Sequence, residues 1–187
     1  MYTYANDSIC GERYIEWHEN IKLTWDDFQG DQPEKISYEL AAAATSVKMS
    51  FDINEARCEI TCCIKVLFNK KKSWTAYKPV KIMNDSLGAE YLLKHEQGHF
   101  DIKEIYARMI RKKLSKIKRS SFKEVKREIE NVKREFYSLE SKDKYDKETN
   151  HSMNKEQQAI WDKKIFKELN DLDKYKNNTV IIKYRCD

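Results

Sequence analysis

Glycine and proline are scarce in this chain of 187 residues, with 4 of one and 2 of the other, so long regular elements and few loops are expected. No apolar run approaches the roughly 18 residues of a membrane-spanning helix, which argues against a membrane span. The stretch Met1–Asp7 has neither the basic head nor the apolar core of a signal peptide, so either a cytosolic protein or a mature, trimmed form is expected. None of the five cysteines (Cys10, Cys58, Cys62, Cys63 and Cys186) stands in a Cys-x-x-Cys pair. Neighbours such as Cys62 and Cys63 point to opposite faces of a strand and make poor joint ligands. The odd count leaves a free thiol in a monomer, the state expected here, and cysteine usage does not decide the compartment.

Charge, in contrast, is abundant. Charged residues make up 36% of the chain, hydrophobic ones 40%, and the formal net charge is +5. The signs alternate along most of the sequence, the pattern of solvated helix faces and not of a disordered tail. A basic run from Arg108 to Arg119 has no nucleic-acid motif beside it, so it reads as the wet side of a long helix and no nucleic-acid partner is expected. Binding of an anionic polymer by the Arg111–Arg119 surface is the weakest of three functional readings.

Hydrophobic periodicity divides the chain. Val47, Met49, Phe51 and Ile53 alternate with polar residues, and after a turn at Asn54-Glu55 the alternation resumes at Cys58, Ile60, Cys62, Ile64, Val66 and Phe68. Two such runs predict an antiparallel hairpin. Short strands are expected at Ile21–Trp25 and Ser73–Lys78, and the alanines 41–44 suit a closely packed strand or a substrate edge. From Ser86 to Ile117 the period becomes 3.6, with Leu92, Ile102, Tyr106, Met109 and Ile110 on one stripe and Asp85 or Ser86 as N-cap. Ser121 with Glu124 forms a capping box before a second helix, striped by Phe122, Val125, Ile129, Val132, Phe136 and Leu139. A polar break at 141–154 precedes a third helix, Lys155–Leu169, and Thr179–Tyr184 closes the chain as a strand. Strands first and helices afterwards predict an α+β fold in one domain, residues 1–187, with the sheet packed against a long helix and two further helices.

The long helix carries His95-Glu96-Gln97-Gly98-His99. Four residues apart, His95 and His99 share a helix face and can offer imidazole nitrogens to one metal ion. Glu96 lies about 100° round the helix, too far to be a natural ligand but placed to take a proton from metal-bound water. Zinc suits such a site, because its bound water ionises near neutral pH. Two buried imidazoles without a metal would each need hydrogen-bond partners, which makes the metal the better reading.

A third ligand must come from elsewhere. His151, in the polar break, is the leading candidate, with His18, Glu104, Asp101 and Asp146 as alternatives; Asp101 and Asp146 suit better the orienting of an imidazole by a hydrogen bond. Tyr145 could donate to a developing oxyanion or simply pack. Trp25 and Phe28 read as anchors of the N-terminal segment and not as substrate contacts.

The segments Leu23–Gly30, Leu92–Ile102, Tyr106–Arg108 and Tyr145–His151, followed by Gln158 and Trp161, resemble in this order a bacterial family of predicted secreted zinc-dependent proteases. The resemblance implies a zincin-like fold, a zinc ion and export, hence a secreted or periplasmic protein. It also maps the family's closing histidine onto His151. This chain departs at Ser152, where the family has glycine. A zinc-dependent peptidase acting on peptide or protein substrates is therefore expected. The alternative is a binding or scaffold protein whose zinc is structural, closed by His95, His99, His151 and Asp146.

Overall fold

The computed structural model describes residues 13–34, 40–76, 86–140 and 144–186, apart from the side chains of 86, 87 and 137–140. The predicted hairpin is its largest strand pair: β3 (Thr45–Asn54) runs antiparallel to β4 (Glu59–Asn69). Val47 faces Val66, Met49 faces Ile64, Phe51 faces Cys62 and Ile53 faces Ile60, so the alternating residues share one face. Ile60, Ile64 and Val66 of that face are buried, each stabilising the fold by about 1.5–3 kcal/mol. Cys62 is buried beside them, and burial pushes its thiol pKa up to about 12, which leaves it protonated and inert.

Two short strands share the other edge of β4. β1 (Tyr14–Glu16) pairs with Leu67–Asn69, and β6 (Thr179–Lys183) pairs with Glu59–Cys63. A separate pair joins β2 (Ala41–Ala42) to β5 (Trp74–Thr75). The short strand expected in Ser73–Lys78 is thus Trp74–Thr75, and Tyr77 and Lys78 lie outside the described residues. Four helices follow among the described residues: α1 (Ser86–Leu114), α2 (Phe122–Glu140), α3 (Tyr145–Thr149) and α4 (Lys155–Asp171). The architecture among the described residues is α+β, with antiparallel sheets and one long helix.

Several local expectations change. Ile21–Trp25 is not a strand: the backbone N–H of Leu23 donates to the Gln97 side chain, and Trp25–Asp27 forms a 3₁₀ turn. The strand of this region lies earlier, at β1. Cys58 stands outside β4, at φ 50° after the 3₁₀ turn Glu55–Arg57. There it forms a disulfide with Cys186, 128 positions away. Cys10 lies outside the described residues, as do Asp85 and the Ser86 side chain, the two expected caps of α1. The polar break contains the five-residue helix α3, so among the described residues three helices and not two accompany the long one. The Ser121 capping box is present, with Glu124 N–H donating to Ser121 Oγ and Ser121 N–H donating to Glu124 Oε2. The stripe of α2 is buried from Val125 to Phe136; the Leu139 side chain lies outside the described residues.

α1 is packed on two sides. Phe100, Ala107, Ile110 and Leu114 join the sheet and α2 in one core, while Ile102 and Ile105 meet Tyr145, Ile165 and Leu172 in another. The basic run is therefore not uniformly wet. Arg108 and Arg111 are buried. Arg108 Nε and Arg111 Nη1 donate to Glu104 Oε1 at 2.9 and 2.8 Å. Arg111 Nη2 donates to the Ile64 carbonyl at 2.8 Å and to Asn178 Oδ1 at 2.7 Å, tying α1 to β4 and to the turn before β6. α1 then stops at Leu114, short of the predicted Ile117, in a tight turn where Ile117 N–H reaches the Leu114 carbonyl.

Removing Glu104 leaves two guanidinium groups buried without their carboxylate. Glu104→Ala should cost about 3–5 kcal/mol. Urea unfolding checks this, and an unshifted midpoint would show that Arg108 and Arg111 find other partners.

Candidate metal centre

Each residue of the His-Glu-x-x-His motif has its own neighbour. Gln97 accepts from Leu23 N–H at 2.9 Å and donates to Asp101 at 2.9 Å, fastening the N-terminal segment to α1. Aromatic contacts continue that anchor from Trp25 to Phe28, Phe68 and Phe100, with ring centroids 5.1, 5.2 and 5.9 Å apart. Trp25 and Phe28 thus act as the anchors expected of them. Glu96 Oε2 accepts from Ala43 N–H at 2.8 Å, just after β2. Burial raises the Glu96 carboxyl pKa, and the imidazoles of His99 and His95 and the Ala43 N–H oppose that rise.

Within the motif, Gly98 has no room for a side chain. A Cβ there would stand 2.3 Å from the Tyr145 hydroxyl and 2.8 Å from its Cζ. The absence of a side chain lets the Tyr145 ring lie against α1, stacked on His95 at 4.5 Å and edge-on to His99 at 4.9 Å. Trp161 closes the opposite side at 5.2 Å. Tyr145 is fully buried, and its hydroxyl donates to the His95 carbonyl at 3.2 Å while accepting from Gln158 Nε2 at 2.6 Å.

Docking Tyr145 delivers the next residue. Asp146 Oδ1 lies 2.9 Å from His95 Nε2 and 2.9 Å from His99 Nε2. Burial opposes ionisation of Asp146, but hydrogen bonds and charge from the two histidines outweigh it and hold the carboxyl well below its ordinary range. The three ligand atoms lie within 4.8 Å of one another, a cluster that could hold a metal ion. Two imidazoles and a carboxylate are a donor set of the kind found in catalytic zinc sites. Asp146 keeps 35% of its side chain exposed, so the cluster opens to solvent on that side.

After α3 the chain turns through three consecutive left-handed residues, Asn150, His151 and Ser152, at φ 49°, 49° and 72°. Hydrogen bonds from His151 N–H to the Asp146 carbonyl and from Asn154 N–H to the Thr149 carbonyl hold this turn. Glycine adopts such a backbone without steric cost, whereas this chain has Ser152 there. The turn brings His151 Nδ1 to 3.9 Å from Asp146 Oδ1.

The structure thus gathers His95, Glu96, His99, Tyr145, Asp146 and His151. It places Asp146, expected to orient an imidazole, in direct reach of both. Asp101, expected in the same role, accepts instead from Trp17 Nε1 at 2.8 Å and from Gln97. Glu104 is taken up by Arg108 and Arg111, and His18 is exposed in the segment after β1. Sequence reasoning assigned no role to Gln158, which lies 2.8 Å from His95 Nδ1. The available signals were its place among the residues that carry the resemblance and its position, as a polar residue, in line with the stripe Trp161, Ile165 and Leu169.

An α+β chain with a His-His-Asp cluster between its long helix and the short helix α3 is the class this geometry defines. The chain belongs to a bacterial family: the model described as "Bacterial protein of unknown function (DUF922)" matches residues 19–152. That span includes the cluster and the left-handed turn. No curated protein and no solved structure matches the chain.

Alanine is the better helix former by about 1 kcal/mol, yet Gly98→Ala should destabilise the protein, because forcing atoms into a packed core costs about 1–3 kcal/mol. Thermal unfolding checks the sign. A stabilised variant would mean that the tyrosine ring moves aside freely.

Proposed function

We propose that this protein is a zincin-like, zinc-dependent hydrolase acting on peptide bonds, with the ion held by His95, His99 and Asp146. The observation that carries it is the convergence of two imidazole nitrogens on one Asp146 oxygen, beside a buried glutamate on the same helix. Bound zinc would supply a Lewis acid that polarises a carbonyl and eases the loss of a proton from water. Glu96 is the base: Ala43 N–H holds Oε2, and Oε1 is left to take the proton. Tyr145 positions the imidazoles instead of touching substrate, since its hydroxyl is buried between the His95 carbonyl and Gln158.

β3 pairs with β4 on one side only among the described residues, and it begins two residues after Ala43. Its other edge offers backbone groups to an extended peptide near Glu96. The Cys58–Cys186 disulfide supports a secreted or periplasmic location, because such bonds persist in oxidising surroundings. One observation favours the structural-zinc alternative: His151 stands near the same Asp146 oxygen and would close the coordination if it moved inward.

Metal content and proteolysis separate the two. Purified wild type should hold near-stoichiometric zinc and cleave an unfolded protein such as casein. Glu96→Gln should retain the zinc and lose about 100-fold or more of the cleavage. Asp146→Asn should lose most of the zinc, and His151→Ala should lose less. Undiminished turnover in Glu96→Gln would remove the mechanism. Zinc without any cleavage, lost together with thermal stability in His151→Ala, would establish the structural site.

A further inference from the structure

Gln158 is buried on α4, where its side-chain amide meets three helices. Nε2 donates to Asp162 Oδ1 at 2.9 Å and to the Tyr145 hydroxyl at 2.6 Å. A carboxylate oxygen can only accept, and the tyrosine spends its single proton on the His95 carbonyl. Both neighbours therefore require the NH₂ end of the amide, and its orientation follows from the network. Lys94, 2.5 Å from the other Asp162 oxygen, steadies the far end.

With the amide so oriented, Oε1 faces His95 Nδ1 at 2.8 Å. An amide oxygen only accepts, so Nδ1 carries the hydrogen. A neutral imidazole, the form that binds a metal ion, has one N–H, and its other nitrogen then keeps a lone pair for the ion. That other nitrogen is Nε2, which faces Asp146 and the cluster. Resting on the metal-site reading above, we infer that Gln158 is a positioning residue that fixes His95 as the Nδ1–H tautomer and commits Nε2 to the metal ion. A hydrogen-bond chain then runs from the Lys94–Asp162 pair through Gln158 to the first histidine of the motif. Asp162 orients the amide, the amide orients the ring, and Tyr145 both stacks on that ring and holds the amide in place. Gln158 also lies beyond residue 152, where the family match ends.

Zinc affinity, measured by competition with a chromophoric chelator on the full chain, tests this together with ¹⁵N NMR of the histidine rings in the zinc-free protein. The wild type should show His95 protonated at Nδ1. Gln158→Met, similar in volume but with no strong acceptor, should bind zinc roughly 10- to 100-fold more weakly. Unchanged affinity in Gln158→Met, or a His95 ring with no proton on Nδ1 in the zinc-free wild type, would each overturn the positioning role while leaving the metal site standing. The NMR assignment holds even where a variant fails to fold. A wild type that binds no zinc would overturn the metal reading itself and this inference with it.

Discussion

The Tyr145 ring lies against α1 at Gly98, closer than any Cβ would allow, and the site depends on that approach. A helix of five residues has little stability of its own, because nucleation costs more than one turn of hydrogen bonds returns. α3 persists because its first residue is buried among His95, His99 and Trp161. Once the ring is seated, Asp146 follows one position later, at the two imidazoles. The left-handed turn then carries His151 to the same oxygen. A missing side chain on one helix thus locates the acidic member of a cluster contributed by another.

The helix bearing the motif is held from every direction in which it carries chemistry. Gln97 faces the N-terminal segment, Glu96 the strand region at Ala43, and His95 the amide on α4. Further along, Arg111 reaches the Ile64 carbonyl of β4. Such a helix cannot rotate or slide without breaking several of these contacts together. Rigid support of this kind keeps the cluster near one geometry. The strain lies elsewhere, in three successive left-handed residues without a glycine, each costing on the order of 1 kcal/mol.

Much of this was legible in the sequence where the signal is local. The β3–β4 hairpin follows from strict alternation, and α2 from a capping box and an unbroken stripe. His95, Glu96 and His99 follow from spacing alone, since three residues of one helix need no knowledge of the rest. What escaped depends on distant partners. Arg111 looks like a solvent-facing charge until the Ile64 carbonyl and Asn178 are brought to it. Ile21–Trp25 has the residues of a strand but no strand beside it, and Gln97 takes its backbone donor. Asp146 was weighed as a support for an imidazole because its distance from His99 is set by the docking of α3, not by any periodicity. Gln158 stood in an apolar stripe as a polar exception, and only the facing imidazole explains it.

The Cys58–Cys186 disulfide closes a covalent ring that contains α1, α3, α4 and every member of the cluster. A single backbone cut anywhere inside that ring would leave one molecule, with both fragments still tethered. Among proteases, such a chain tolerates nicking that would dismember an open one. The damage would show on a gel only after a reductant had opened the bond.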